Sequence, residues 1–313
     1  MKKHSEAYVM LHVIILMSAL SGTIIKLITL SSFEIVFLRT LIAFLILGFI
    51  IKRKKLSFSC SWKEALHMIG TGLLLAAFWI LNTITIKIST VSVAIVAMAT
   101  TSIWITFLHP LISGEKSKPF QLLIGINAII GIYIIYGSDF EYGGGFAVGI
   151  VGAIFAALVT IFNAGFAKKH HYQVVTFYQF VGAWIGTIIF FPVYNIYFDI
   201  EELLLELSWQ DGALILLLST VISVFAYSVL IKIQKKIPPF MIALTNNLAP
   251  IYGILIAILL LGATEYMNFG FYIGAMLLFV SVLVYPILTN YMAKFTKEKT
   301  LEADKIAEAQ QNL

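Results

Sequence analysis

Charge is scarce in this sequence. Only 12% of the residues are Asp, Glu, Lys or Arg and 60% are hydrophobic, whereas soluble domains carry about 25% charged residues. Lipid is therefore the solvent that fits the chain. Cysteine is rarer still. Cys60 stands alone in a lysine-rich loop, so no intramolecular disulfide and no cysteine-based metal site can form. None of the 16 acidic residues falls in the middle of an apolar run, which removes the intramembrane carboxylate that a proton-coupled exporter of cationic drugs would use. The run Gly143-Gly144-Gly145 lacks the Lys-Ser/Thr pair of a phosphate-binding loop, so ATP drive has no support. His170 and His171 sit beside Lys168 and Lys169 with no ligand at metal spacing, and read as solvated loop residues. No metal and no cofactor is expected. The net charge of +5 comes from short Lys and Arg clusters between apolar runs, where membrane orientation accounts for them, and no nucleic-acid partner is expected.

What the chain does have is a succession of apolar runs of roughly 20 residues, the length a helix needs to cross a bilayer. Ten spans are expected: Tyr8–Leu30, Phe33–Ile51, Ala65–Ile86, Val91–Ser113, Pro119–Gly137, Gly145–Ala167, Val174–Phe198, Gly212–Ile231, Pro239–Leu261 and Phe269–Tyr291. Residues 1–22 have the charge and small-residue pattern of a signal peptide, but the apolar run continues through Ile28 and reads as an uncleaved first helix. Loops on the side of the termini carry Lys2–Lys3, Lys52 to Lys55, Lys116, Lys118, Lys168–Lys169, Lys232 and Lys235–Lys236. The opposite loops carry Glu34, Asp139, Glu141, Asp199, Glu201, Glu202, Glu206, Asp211 and Glu265. By the positive-inside rule both termini are cytoplasmic.

The polar, glycine-rich stretch from Ser138 to Gly144 has five expected spans on either side. Five is odd, so the halves enter the membrane in opposite orientations. Ser113-Gly114-Glu115 follows the fourth span and Gly262-Ala263-Thr264-Glu265 the ninth, each leading into a glycine of the next helix, Gly125 or Gly274. Inverted repeats of this kind mark secondary transporters, in which two mirrored halves exchange access around a midplane site.

Gly22-Thr23-Ile24-Ile25-Lys26, Phe37-Leu38-Arg39 with Ala43, Gly114-Glu115, and Pro250 followed by Gly262, Glu265 and Gly274 together resemble the EamA family of the drug/metabolite transporter superfamily. Ser21 stands where that family commonly has Trp. The resemblance implies an all-α membrane protein of ten transmembrane helices arranged as two inverted five-helix repeats, 8–137 and 145–291, with a cytoplasmic tail at 292–313. It also implies a central cavity lined by helices 1, 3, 4, 6, 8 and 9.

The polar residues left inside the spans are candidates for that cavity. Pro250 removes a backbone donor, so the carbonyl of Asn246 is expected to lose its partner beside the amides of Asn246 and Asn247. Ser219, Ser223 and Tyr227 recur every four residues on one face of the eighth span. The third span offers Trp79 and Asn82, the fourth Met98, Thr101, Ser102 and His109, the sixth Thr160 and Asn163. For each, interhelical hydrogen bonding is the alternative to substrate contact. Arg39 lies roughly 9 Å into the second span at 1.5 Å per residue, and Glu34 is about 140° round the helix from it. It must be satisfied by another helix, by snorkelling or by an anionic substrate group, and is read as a gating or charge-attracting cation. Lys26, Lys87, Glu115 and Glu265 lie at helix ends, where snorkelling or loop contacts explain them. Gly182 with Gly186, and Gly270 with Gly274, read as packing faces.

The expectation is a secondary transporter, a permease or exporter, moving a small neutral or zwitterionic metabolite such as an amino acid across the cytoplasmic membrane of a bacterium by alternating access. No residue is assigned a catalytic role, because no Asp or Glu accompanies His109 at depth. A passive channel or facilitator, and an exporter of nucleotide-, sugar- or drug-like molecules, are the alternatives. The partners expected are the small-molecule substrate and the lipid bilayer, with a homodimer left open.

Overall fold

The computed structural model describes residues 2–58, 60–114, 120–137, 141–198, 207–237, 242, 245, 249–280 and 284. Among these the chain is helical, with no strand. The helices are α1 (Lys2–Leu27), α2 (Ser32–Arg53), α3 (Trp62–Ile88), α4 (Val91–Ala99), α5 (Thr101–Ser113), α6 (Phe120–Gly137), α7 (Gly143–Lys169), α8 (Tyr172–Phe198), α9 (Trp209–Leu217), α10 (Ser228–Gln234), α11 (Ala249–Leu261) and α12 (Phe269–Val280). A π-helical segment, Leu218–Tyr227, joins α9 to α10. Seven helical stretches of the described residues, from Val9–Leu27 to Trp209–Gln234, are long and apolar enough to cross a membrane.

Helix starts follow local chemistry. Ser31 and Glu34 form a capping box before α2, as Ser61 and Glu64 do before α3. The Glu34 carboxylate thus takes its hydrogen bond from the Ser31 backbone, at 2.9 Å, rather than from Arg39.

Two expected spans differ from the continuous helices that the apolar pattern implies. The fourth breaks at Thr100, whose N–H and hydroxyl both donate to the Ala97 carbonyl, at 3.1 and 2.6 Å. The hydroxyl thus shares the acceptor of its own N–H in a turn tighter than the α pattern. The eighth span widens into the π segment, where the Ser223 hydroxyl reaches the Leu218 carbonyl five residues back. The described part of α11 runs from Ala249 and includes Pro250. Asn246, Asn247 and Glu115 lie outside the described residues, as do the tenth span beyond Val280 apart from Val284, the 199–206 loop and the tail.

α3 is the central helix. It packs on α7 and α8, while α2 lies against α8 and the π segment, α1 against α11, and α4 and α5 against α7. The α3/α8 crossing is a backbone contact: a Cβ on Gly182 would lie 2.1 Å from the Ile69 carbonyl oxygen, and one on Gly72 2.2 Å from that of Gln179. Gly186 packs beside Ala76 and Leu73 in the same crossing. Gly131 and Gly274 bring α6 and α12 together in the same way. Small residues allow this closeness, and dispersion between the packed backbones replaces the hydrophobic drive that lipid does not supply.

Candidate functional site

The glycine crossing seats α8 against α3, and two aromatic side chains fill the space beside it. Trp79 of α3 meets Phe180 of α8 at 5.4 Å between ring centroids and Tyr227 of the π segment at 6.0 Å, while Phe180 stacks on Tyr227 at 5.4 Å. This cluster positions the Tyr227 hydroxyl in a closed ring of hydrogen bonds. Asn163 Nδ2 donates to the Tyr227 oxygen at 3.0 Å, the Tyr227 hydroxyl donates to Gln179 Oε1 at 3.0 Å, and Gln179 Nε2 donates back to Asn163 Oδ1 at 2.5 Å. Every member both gives and receives, so α7, α8 and the π segment are joined, with one N–H of each amide beyond the ring's own bonds.

Arg39 lies on the other contact surface of this cluster. Its guanidinium carbon sits 3.9 Å from the Trp79 ring centroid, and Nε donates to the Ser223 hydroxyl at 2.6 Å. The residue is 5% exposed, which rules out snorkelling. Ser223 in turn donates to the Leu218 carbonyl, so the π geometry sets where the hydroxyl meets Arg39.

A cavity of about 240 Å³ opens against these groups. Its polar lining includes Arg39, Trp79, Asn82, Thr101, Asn163 and Tyr227, the described part of the set expected from the sequence. Thr160 also faces it, with its hydroxyl returned to the Ala156 carbonyl, and Met98 lines it from α4. Among the described residues, the Asn82 carboxamide has no hydrogen-bond partner and Thr101 Oγ1 is buried without one. The remaining wall is largely apolar, with Ile14 and Ile25 from α1 and Ala94 and Ile95 from α4. Ser18, Ser21 and Gly22 of α1 add small side chains that leave the space open. Ser102, His109 and Ser219 are not in the lining. Ser102 and Ser219 donate to carbonyls of their own chain segment, Ala99 and Ile215. The break at Thr100 divides the fourth-span stripe, so Ser102 no longer continues the face of Met98. Among the described residues α11 supplies no lining side chain.

Gln179, which holds Asn163 and Tyr227 from behind the cavity wall, is the residue that sequence reasoning missed. Its signal was available: an uncharged amide inside the seventh expected helix, of the same kind as Asn163.

At the face where α1 and α3 end, charged side chains tie the helices together through backbone groups. Lys26 Nζ donates to the Ile86 and Ser89 carbonyls at 2.9 and 2.7 Å, and Lys87 Nζ to the Ile28 carbonyl. Asp211 accepts from the Thr29 N–H at 2.9 Å and its hydroxyl at 2.6 Å. Glu265, fully buried, accepts from the Val91 and Ser92 N–H groups at 3.1 and 2.9 Å and caps α4.

Such an arrangement can bind a small molecule and tie one end of the bundle. Among the described residues it holds no cluster of metal ligands. The model of the EamA-like transporter family matches the sequence twice, over residues 6–137 and 143–285. A solved crystal structure superposes on 91% of this chain and 98% of its own at a TM-score of 0.62 and 15% identity, a likeness that concerns the fold alone. Curated proteins gave no match. With both matched segments together spanning nearly the whole sequence, this multi-pass membrane protein belongs to the EamA-like transporter family.

Proposed function

We propose that the chain is a secondary transporter that moves a small neutral or zwitterionic metabolite, such as an amino acid, by alternating access across the cytoplasmic membrane of a bacterium. The observation that carries this reading is one cavity walled by both family segments: α1 to α5 from the first, and α7, the π segment and α10 from the second. A site between two repeated units is where an alternating-access device needs its substrate. The layout that goes with it is ten helices in two inverted five-helix repeats, 8–137 and 145–291, with both termini and the 292–313 tail cytoplasmic. Trp79, Asn82, Thr101, Asn163, Tyr227, Asn246, Asn247 and Pro250 form the substrate site in this reading, with Arg39 as its charged group.

Purified protein in vesicles preloaded with unlabelled amino acids, one at a time, is the test. Saturable counterflow of the labelled compound supports the transporter, whereas flux linear in concentration without counterflow points to a channel. Asn246→Leu and Asn247→Leu should weaken substrate binding by about 1–3 kcal/mol, the cost of a lost buried polar partner, without loss of insertion. Loss of folding stability at unchanged affinity would make those amides interhelical contacts only.

A further inference from the structure

The chain contains two arginines, Arg39 and Arg53. Arg53 ends α2 and is exposed, whereas Arg39 is buried at the cavity wall. Its neighbours are neutral: Trp79 beneath the guanidinium and Ser223 at Nε. Among the described residues the guanidinium has no other hydrogen-bond partner and no carboxylate at ion-pair distance. No acidic residue of the sequence falls in the middle of an apolar run, and Glu34, at the start of α2, is bonded to Ser31. A buried cation without a counter-ion is strongly disfavoured unless an anion joins it.

The two Nη groups therefore remain for the cavity. With Trp79 fixing the plane and Ser223 fixing the Nε edge, they present parallel donors, the geometry that a carboxylate accepts in two hydrogen bonds. The cavity supplies one positive charge, no described acidic lining, and an apolar wall from Ile14, Ile25, Ala94 and Ile95. That combination suits a single negative charge on an apolar body and rejects cations and polyanions.

We propose that the substrate is a small monocarboxylate that seats its carboxylate on the Nη edge of Arg39 and its apolar body against α1 and α4. The proposal rests on the transporter reading and narrows it. Amino acids and plain carboxylic acids share this chemistry. Asn82, with its carboxamide free of protein partners among the described residues, is where an added ammonium group is recognised.

The test uses the scarcity of arginine. In the Arg53→Lys protein, purified in detergent, Arg39 is the sole arginine open to phenylglyoxal, and its adduct is followed by intact mass and placed by peptide mapping. The probes are 4-methylpentanoate, L-leucine, phenylacetate and L-phenylalanine, each beside its own carboxamide. Arg39 should react, and at least one acid should protect it at concentrations about ten- to a hundredfold below those its amide needs, the range for charge-assisted bonds. Protection by plain acids and amino acids alike assigns the carboxylate as the recognised group. Protection by amino acids alone adds the ammonium contact. An unreactive Arg39, equal protection by acid and amide, or no protection by any acid overturns the proposal. Counterflow in vesicles separates it from the broader reading. Acid-specific protection without saturable counterflow leaves the seat standing and removes the transporter. Saturable counterflow that Arg39→Met leaves unchanged, with amides competing as well as acids, removes the seat and leaves the transporter.

Discussion

Removing one atom tests the hydrogen-bond ring. Tyr227→Phe keeps the ring packed on Trp79 and Phe180 but deletes the hydroxyl, so the bonds to Asn163 and Gln179 are both lost. Interhelical hydrogen bonds in membranes average about 0.6 kcal/mol with a maximum of about 1.7, so the variant should lose about 1.2 kcal/mol and at most about 3.4. Gln179→Leu also breaks two bonds, one of them shared with the first variant. The double variant loses three bonds rather than four, so it should be more stable than the sum of the singles by one bond, about 0.6 to 1.7 kcal/mol. Equilibrium unfolding in mixed micelles, monitored by helical circular dichroism, gives all four corners of the cycle. Effects that simply add, to within about 0.3 kcal/mol, would show that the three side chains do not act as one closed unit.

Asn82→Leu should leave unfolding within about 0.5 kcal/mol of the parent, since no protein bond is lost, yet weaken half-saturating substrate in counterflow by about tenfold; unchanged counterflow would remove Asn82 from the site. Gly182→Ala drives a methyl group into the Ile69 carbonyl and should destabilise by about 1–3 kcal/mol or more, whereas Gly165→Ala, with nothing within 4 Å of its Cβ position, should be neutral or stabilising; equal thermal midpoints for the two would refute the backbone crossing. His171 sits outside the spans, and partial burial, with Lys54, Lys232 and Lys235 nearby, holds its imidazole below the usual value. The unfolded chain then takes up the proton first as pH falls through about 6.5, so stability should decline there and level off once the folded imidazole is also protonated. His171→Gln should flatten that decline, and an identical pH profile for both proteins would exclude His171 as its source. A cysteine introduced near Glu202 should react with an impermeant thiol reagent in intact cells while Cys60 stays protected, and the reverse pattern would invert the proposed topology.

Much of the architecture is legible because lipid simplifies the code. Helices must satisfy their own backbones, so apolar length marks a span and any polar side chain within it stands out, as Trp79 with Asn82, Asn163 and Tyr227 do. These side chains line the cavity together. What spacing could not reveal is contact between distant segments. Ser223 meets Arg39 across 184 positions, and no local pattern links the two. Gln179 likewise meets Asn163 and Tyr227 from 16 and 48 positions away. Spacings of four fit α and π geometry alike, so Ser219, Ser223 and Tyr227 gave no sign of the wider turn. The turn at Thr100, where the hydroxyl bonds the Ala97 carbonyl, is one that an unbroken apolar run does not announce.

The ties among Lys26, Lys87, Asp211 and Glu265 have a consequence for ionic strength. Their hydrogen bonds go to carbonyls, amides and a few hydroxyls, not to one another. A peptide dipole has no mobile counter-ion to exchange, and partly buried contacts are screened far less than exposed ion pairs. Dissolved salt therefore competes poorly for this face. A bundle end held by exposed ion pairs would loosen as ionic strength climbs, and this one should loosen less, which unfolding at low and high salt would read.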